Sequence, residues 1–129
     1  MSKSHILNKV LQTADGGKLA DTGATVTGDT ETNGEWTVNA NGGGSNAIAV
    51  AFPAAGLKSL GLLSTVPCVV TLTGATVIDG ITIGTVTLAA NALRQVLAIT
   101  GDVTAISIGA NTTSSGPAGV LKTSLLFNS

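Results

Sequence analysis

The feature that most constrains this chain is a two-residue rhythm. From Ile81 to Asn111 it reads ITIGTVTLAANALRQVLAITGDVTAISIGAN. β-Branched residues recur through the stretch, and Ala-Asn-Ala and Thr-Gly-Asp interrupt it. A period of two sets alternate side chains on opposite faces of a strand. Three strands in a row are predicted. The only acid is Asp102, in a turn, so the stretch offers no acid–base or metal chemistry.

The same rhythm extends in both directions. In Ala47 to Phe52, Ile48, Val50 and Phe52 share one parity and three alanines the other, as in a strand packed on both faces. Pro53 ends it. Leu57 to Ser64 puts Leu60 and Leu62 in phase. After Pro67, Cys68 to Thr73 turns Val70 and Leu72 inward and Thr71 and Thr73 outward. Asp79-Gly80 predicts a turn. Ile81 and Ile83 oppose Val86 and Leu88 in parity, so a β-bulge is expected at Gly84. Arg94 to Ile99 and Val103 to Ala110 read as a hairpin closed by Thr100-Gly101-Asp102, with Ile106 and Ile108 inward. Asn111 to Gly119 reads as an exposed loop. Val120 to Phe127 is the last strand, carrying Leu121, Leu125 and Phe127.

Upstream, TGATVTGDTET and GEWTVNA are strand-like, and Asn33-Gly34 between them signals a hairpin turn. Asn41 to Asn46 is a Gly-rich loop. A phosphate-cradling loop needs a following helix, and a strand follows here.

Residues 1–20 differ. Ser4 can cap a short helix in which Ile6, Leu7, Val10 and Leu11 follow at helical spacing. Asp15-Gly16-Gly17 marks a turn or hinge. Two turns of helix are marginal alone. The segment reads as an N-terminal arm, either folded back on its own domain or reaching a neighbouring subunit through those four residues. The expected organisation is an arm at 1–20 and one β-sandwich domain at 21–129. The expected fold is all-β: about eight strands in a jelly roll of two packed sheets, with an immunoglobulin-like sandwich as the second choice.

Composition narrows function. The 129 residues include only 10% charged residues, with a net charge of −1. Mean hydropathy is +0.46. Charge is what keeps neighbouring surfaces apart, so other chains are expected to cover part of this one, or else Thr, Ser, Asn and Gly must solvate it. Six Lys and Arg, spread from Lys3 to Lys122, form no basic stripe, and no nucleic-acid partner is expected. The aromatics are Trp36, Phe52 and Phe127, a poor platform for stacking bases or sugars. Ser59 to Ile78 is uncharged for 20 residues, but its Gly, Pro, Ser and Thr make it strands of a sandwich, and no membrane partner is expected. MSKSHILNKVLQ shows no signal-peptide pattern.

Candidate chemistry is sparse. His5 is the only histidine, in the arm. Cys68 is the only cysteine and reads as a small buried hydrophobe. Metal-ligand spacing is absent, and no cofactor is expected. Asp29, Glu31 and Glu35 form an acidic cluster without a calcium loop. No catalytic constellation is found, so an enzyme is not expected. Asn111-Thr112-Thr113 matches a glycosylation sequon.

The order SNAIAVAFPAAGLKSLGLLSTVPCVVTL, ITIGTVTLAANALRQV, TGDVTAISIGAN and VLKTSLLFNS resembles the small jelly-roll capsid decoration, or cement, proteins of tailed double-stranded DNA bacteriophages, over roughly residues 46–129. The GDVT turn and the late Leu-rich strand carry it best; residues 21–41 have no counterpart. The resemblance implies a virion protein made in the host cytoplasm. It would sit as a dimer or trimer on the capsid exterior and bridge major capsid proteins. The alternative is a phage tail or fibre-associated sandwich that recognises a host glycan, with Trp36 and its acidic neighbours as the site.

Overall fold

The computed structural model describes residues 3–12, 18–50, 56–75, 77–78, 81–82, 84–96, 99 and 102–128. Among them there is no helix. The strands are β1 (Lys3–Gln12), β2 (Lys18–Gly28), β3 (Thr30–Val38), β4 (Asn46–Ala47), β5 (Leu57–Ser64), β6 (Cys68–Ala75), β7 (Val77–Ile78), β8 (Ile81–Thr82), β9 (Thr85–Leu88), β10 (Arg94–Val96), β11 (Asp102–Ile108) and β12 (Gly119–Phe127).

Two four-stranded antiparallel sheets form the body, in the orders β10-β5-β12-β3 and β4-β11-β6-β9. Their pairings nest: β6 with β9, β5 with β10, β4 with β11 and β3 with β12. The ladders β11–β6 and β12–β5 complete the two sheets. The expected alternation builds the core. Leu60, Leu62, Val70, Leu72, Ile106, Ile108, Leu121 and Leu125 are all 2% exposed or less, while Thr71 and Thr73 face solvent. Each large apolar side chain buried this way contributes about 1.5–3 kcal/mol relative to exposure. Val38, Ile48, Leu57, Cys68, Leu88, Ile99, Val103 and Phe127 complete the cluster, with Trp36, Val50, Val66 and Val86 packed at its margin.

Several local expectations are corrected. Residues 3–12 form a strand, not a helix, paired antiparallel with β2 from Lys3↔Gly28 to Gln12↔Lys18. An isolated two-turn helix has little to hold it, and the Thr-rich β2 supplies a full ladder instead. The boundary expected at residue 20 falls inside β2. Asn33-Gly34 makes no turn: β3 runs through it, paired residue for residue with β12 from Thr30↔Phe127 to Val38↔Gly119. The chain breaks at Asp29 instead.

The Ile81–Asn111 stretch crosses between sheets. Gly84 marks no bulge within one strand, because β8 pairs with β7 while β9 pairs with β6. There the Gly84 carbonyl accepts from Leu72 N at 2.8 Å. β10 and β11 are not hairpin partners, since they belong to opposite sheets. Among the described residues of the Ala47–Phe52 run, up to Val50, the strand covers Asn46–Ala47; Ile48 is buried, but Ala47 and Ala49 are exposed, so there one face alone is packed. The turns expected at 79–80 and 100–101 and at 15–17 lie outside the described residues.

Leu126 and Ser59 are both 0% exposed, yet Leu126 lies outside the cluster that the two sheets enclose. By strand parity both belong to the outer face of their sheet, where Leu126 pairs with Ser59. β2 approaches both β12 and β5, and β1 approaches β12. The foot of the β1–β2 hairpin therefore covers this corner of the sandwich.

Candidate functional site

Chemistry-bearing groups are dispersed. Cys68 is fully buried, and its thiol donates to Ser64 Oγ at 3.7 Å. Burial pushes the thiol above its ordinary value, and the Ser64 hydrogen bond offsets only part of that. It is a packed, protonated group rather than a nucleophile. Ser64 is occupied by a tight turn, where its Oγ donates to Val66 O at 2.6 Å. His5 lies on β1, opposite Val26. Glu31 and Glu35 are exposed on β3, four residues and roughly 13 Å apart along the strand. Among the described residues no three His, Cys, Asp or Glu side chains gather to hold a metal ion.

Trp36 has a structural post. Its Nε1 donates to Thr123 Oγ1 at 2.8 Å, satisfying a buried hydroxyl. Its indole passes over Gly34, where a Cβ would meet the ring at 3.0–3.1 Å. The residue that resembled half of a turn is there to admit a ring. Trp36 also packs against the core. Beside it, Asn33, Gly34, Glu35, Lys122 and Thr123 line an open depression of about 450 Å³. Its ion pair, Lys122 Nζ to Glu35 Oε1, is 3.9 Å long with both side chains more than 60% exposed. Such a pair holds nothing firmly in place.

One end of the sandwich is laced by asparagines. Asn111 is 3% exposed; its Nδ2 donates to Pro117 O at 3.0 Å, and its Oδ1 accepts from Thr113 N at 2.8 Å. Asn41 Nδ2 donates to Asn111 O at 2.8 Å. Asn46 Nδ2 donates to Thr37 O at 2.7 Å, and Asn39 Nδ2 to Gly44 O at 3.1 Å. The 111–119 loop expected to be exposed is therefore anchored at Asn111 and Gly116. The sequon amide is engaged inside the fold.

What remains as a candidate site is surface. Ile6 is 60% exposed, Leu93 61% and Val120 39%. The four arm residues, expected on a helix, lie on the strand β1. Sequence reading missed two features. One is the hairpin itself, whose signal was the Thr-rich run after Lys18. The other is the pair of sheet edges along β1 and β3.

No family model matches the chain, and no curated protein matches it. Among solved structures, it is similar to a chain of Bacillus endospore appendages, a family of disulfide-linked pili. The identity is 15%, the match covers 78% of this chain and 87% of that one, and the TM-score is 0.48. A likeness at that level carries no argument about function.

Proposed function

We propose that the chain is a structural virion protein: a capsid decoration, or cement, subunit that binds the outer surface of a tailed-phage head and stabilises contacts between major capsid proteins. The observation that carries the reading is strand order. Number the sandwich strands one to eight along the chain: β3, β4, β5, β6, β9, β10, β11 and β12. The sheets then run six-three-eight-one and two-seven-four-five. The nested pairs are those of one long hairpin rolled into two interleaved Greek keys. That order supports reading the sandwich as a jelly roll, the fold that the resemblance implies.

The mechanism is contact area multiplied over a lattice. Each copy, itself within a dimer or trimer, buries a modest patch, and repetition converts weak single contacts into tight decoration. Low charge and exposed Ile6, Leu93 and Val120 suit such patches. Leu7, Val10 and Leu11 are further contact candidates through their place on β1. The tail or fibre glycan-binding alternative needs a free ring face. Trp36, held by Thr123 and packed on the core, favours the capsid reading over it.

Co-sedimentation with undecorated phage heads tests the proposal. Saturable binding to assembled heads and none to free capsid protein is expected. Failure to bind heads, or specific hits on a glycan array, overturns it.

A further inference from the structure

We infer that copies of this chain assemble by strand addition, with β1 of one copy pairing along the outer edge of β3 in another. Among the described residues β1 pairs only with β2, and β3 only with β12. Among the described residues each leaves one long edge without a strand neighbour, ten residues on β1 and, on β3, the stretch from Thr30 to Trp36, since Asn46 Nδ2 already takes Thr37 O. An edge of that length presents a row of backbone donors and acceptors, a template for another strand.

The chain cannot close its own β3 edge with its own β1. Lys3 lies opposite Gly28, and β1 is used up along Lys18–Gly28. β3 begins at Thr30, beyond the foot of the hairpin. While β1 stays on β2, a strand for β3 must come from a second copy.

Charge selects the pairing. β1, KSHILNKVLQ, carries Lys3 and Lys9 and no acid. β3, TETNGEWTV, carries Glu31 and Glu35 and no base. Two β3 edges together would oppose carboxylates, and two β1 edges would oppose ammonium groups. β1 against β3 brings unlike charges together, although Lys9 already lies opposite Asp21 and Glu35 pairs weakly with exposed Lys122 within the chain, and cross-strand charge pairs reward the unlike arrangement and penalise the like one. Reciprocal exchange closes as a dimer; a one-way exchange closes as a ring where the rotation closes and otherwise runs on as a filament. This inference rests on the homo-oligomer in the proposed function and not on the phage head.

The test is a charge swap followed by native mass measurement. K3E/K9E alone and E31K/E35K alone should each weaken association by about threefold or more, the scale of one direct and one diagonal cross-strand charge pair reversed, since the lysines are six residues apart and the glutamates four. The four-fold variant that exchanges both sets should recover it. Association unchanged by either half-swap, or no recovery in the full swap, overturns the inference. Should a variant fail to fold, amide exchange of the native chain decides. Protection of β1 and β3 should rise together with concentration; protection independent of concentration overturns the inference. An oligomer that survives both half-swaps leaves the capsid reading standing. Strand exchange without affinity for heads removes that reading alone.

Discussion

Gly28, at the foot of the N-terminal hairpin, lies directly against Leu126 on the outer face of the sandwich: a Cβ on Gly28 would stand 3.1 Å from Leu126 Cγ and 2.9 Å from Phe127 O. Asp29 N, the next residue, donates to the same Phe127 carbonyl at 3.1 Å. The hairpin is thus seated on the last strand of the domain. Gly28→Val should cost about 1–3 kcal/mol by overpacking, and Leu126→Ala about 2–4 kcal/mol by leaving a void. Thermal melts measure both. Faster amide exchange in β1 and β2 should accompany the loss.

Trp36 and Thr123 form a half-buried polar pair across β3 and β12, in which the Thr123 hydroxyl is the buried group. Trp36→Phe strands the Thr123 hydroxyl and should cost about 1–3 kcal/mol. Adding Thr123→Val removes the stranded group, so the double variant should be less destabilised than the two single costs summed. Denaturant titration of the four proteins checks this. Additive costs would count against the pair as described.

The strands that carry the core were legible in advance. β5, β6, β11 and β12 alternate cleanly between prolines, glycines and polar turns, and the structure buries Leu60, Leu62, Val70, Leu72, Ile106, Ile108, Leu121 and Leu125 accordingly. Three things were not legible. Short apolar spacing in residues 4–11 fits helix or strand equally, and the partner β2 decided it. Asn33-Gly34 is a strong local turn signal, yet a continuous ladder with β12 overrides it. Gly84 and Thr100-Gly101-Asp102 are turn signals in the sequence, but a turn signal does not say whether the next strand stays in the sheet or crosses to the other. The candidate surface was harder still, because an open strand edge is a property of pairing and has no residue signature.

Asn111 ties the 111–117 loop to the rest of its end of the sandwich. Asn111→Ala removes both side-chain bonds from a buried site and should cost about 2–3 kcal/mol. Asn111→Asp keeps the acceptor toward Thr113 N but loses the donor toward Pro117 O, and should cost at least as much near neutral pH because a buried carboxylate faces a carbonyl. Chemical denaturation measures both, and a neutral result would contradict the anchoring role.

Cys68 gives a pH prediction. Burial raises its folded value, so the neutral thiol is the form that the fold favours. Stability from this group is fully present below the unfolded thiol value of about 8.5 and is lost as pH rises from there through the folded value, because the unfolded chain releases the proton first. A thiol reagent should react with the native protein no faster than it unfolds. Rapid labelling at pH 8 would show an accessible thiolate instead. Cys68→Ser should flatten the alkaline slope of the stability curve.

In the proposed function this sandwich works as a subunit of an assembled shell. The most direct measurement is electron imaging of phage heads, assembled without the chain and then incubated with it. Added density is expected at regularly repeated positions on the outer surface, in dimer- or trimer-sized units, with heads that withstand heating better than bare ones. Bare heads of unchanged stability beside a free, monomeric chain would contradict it.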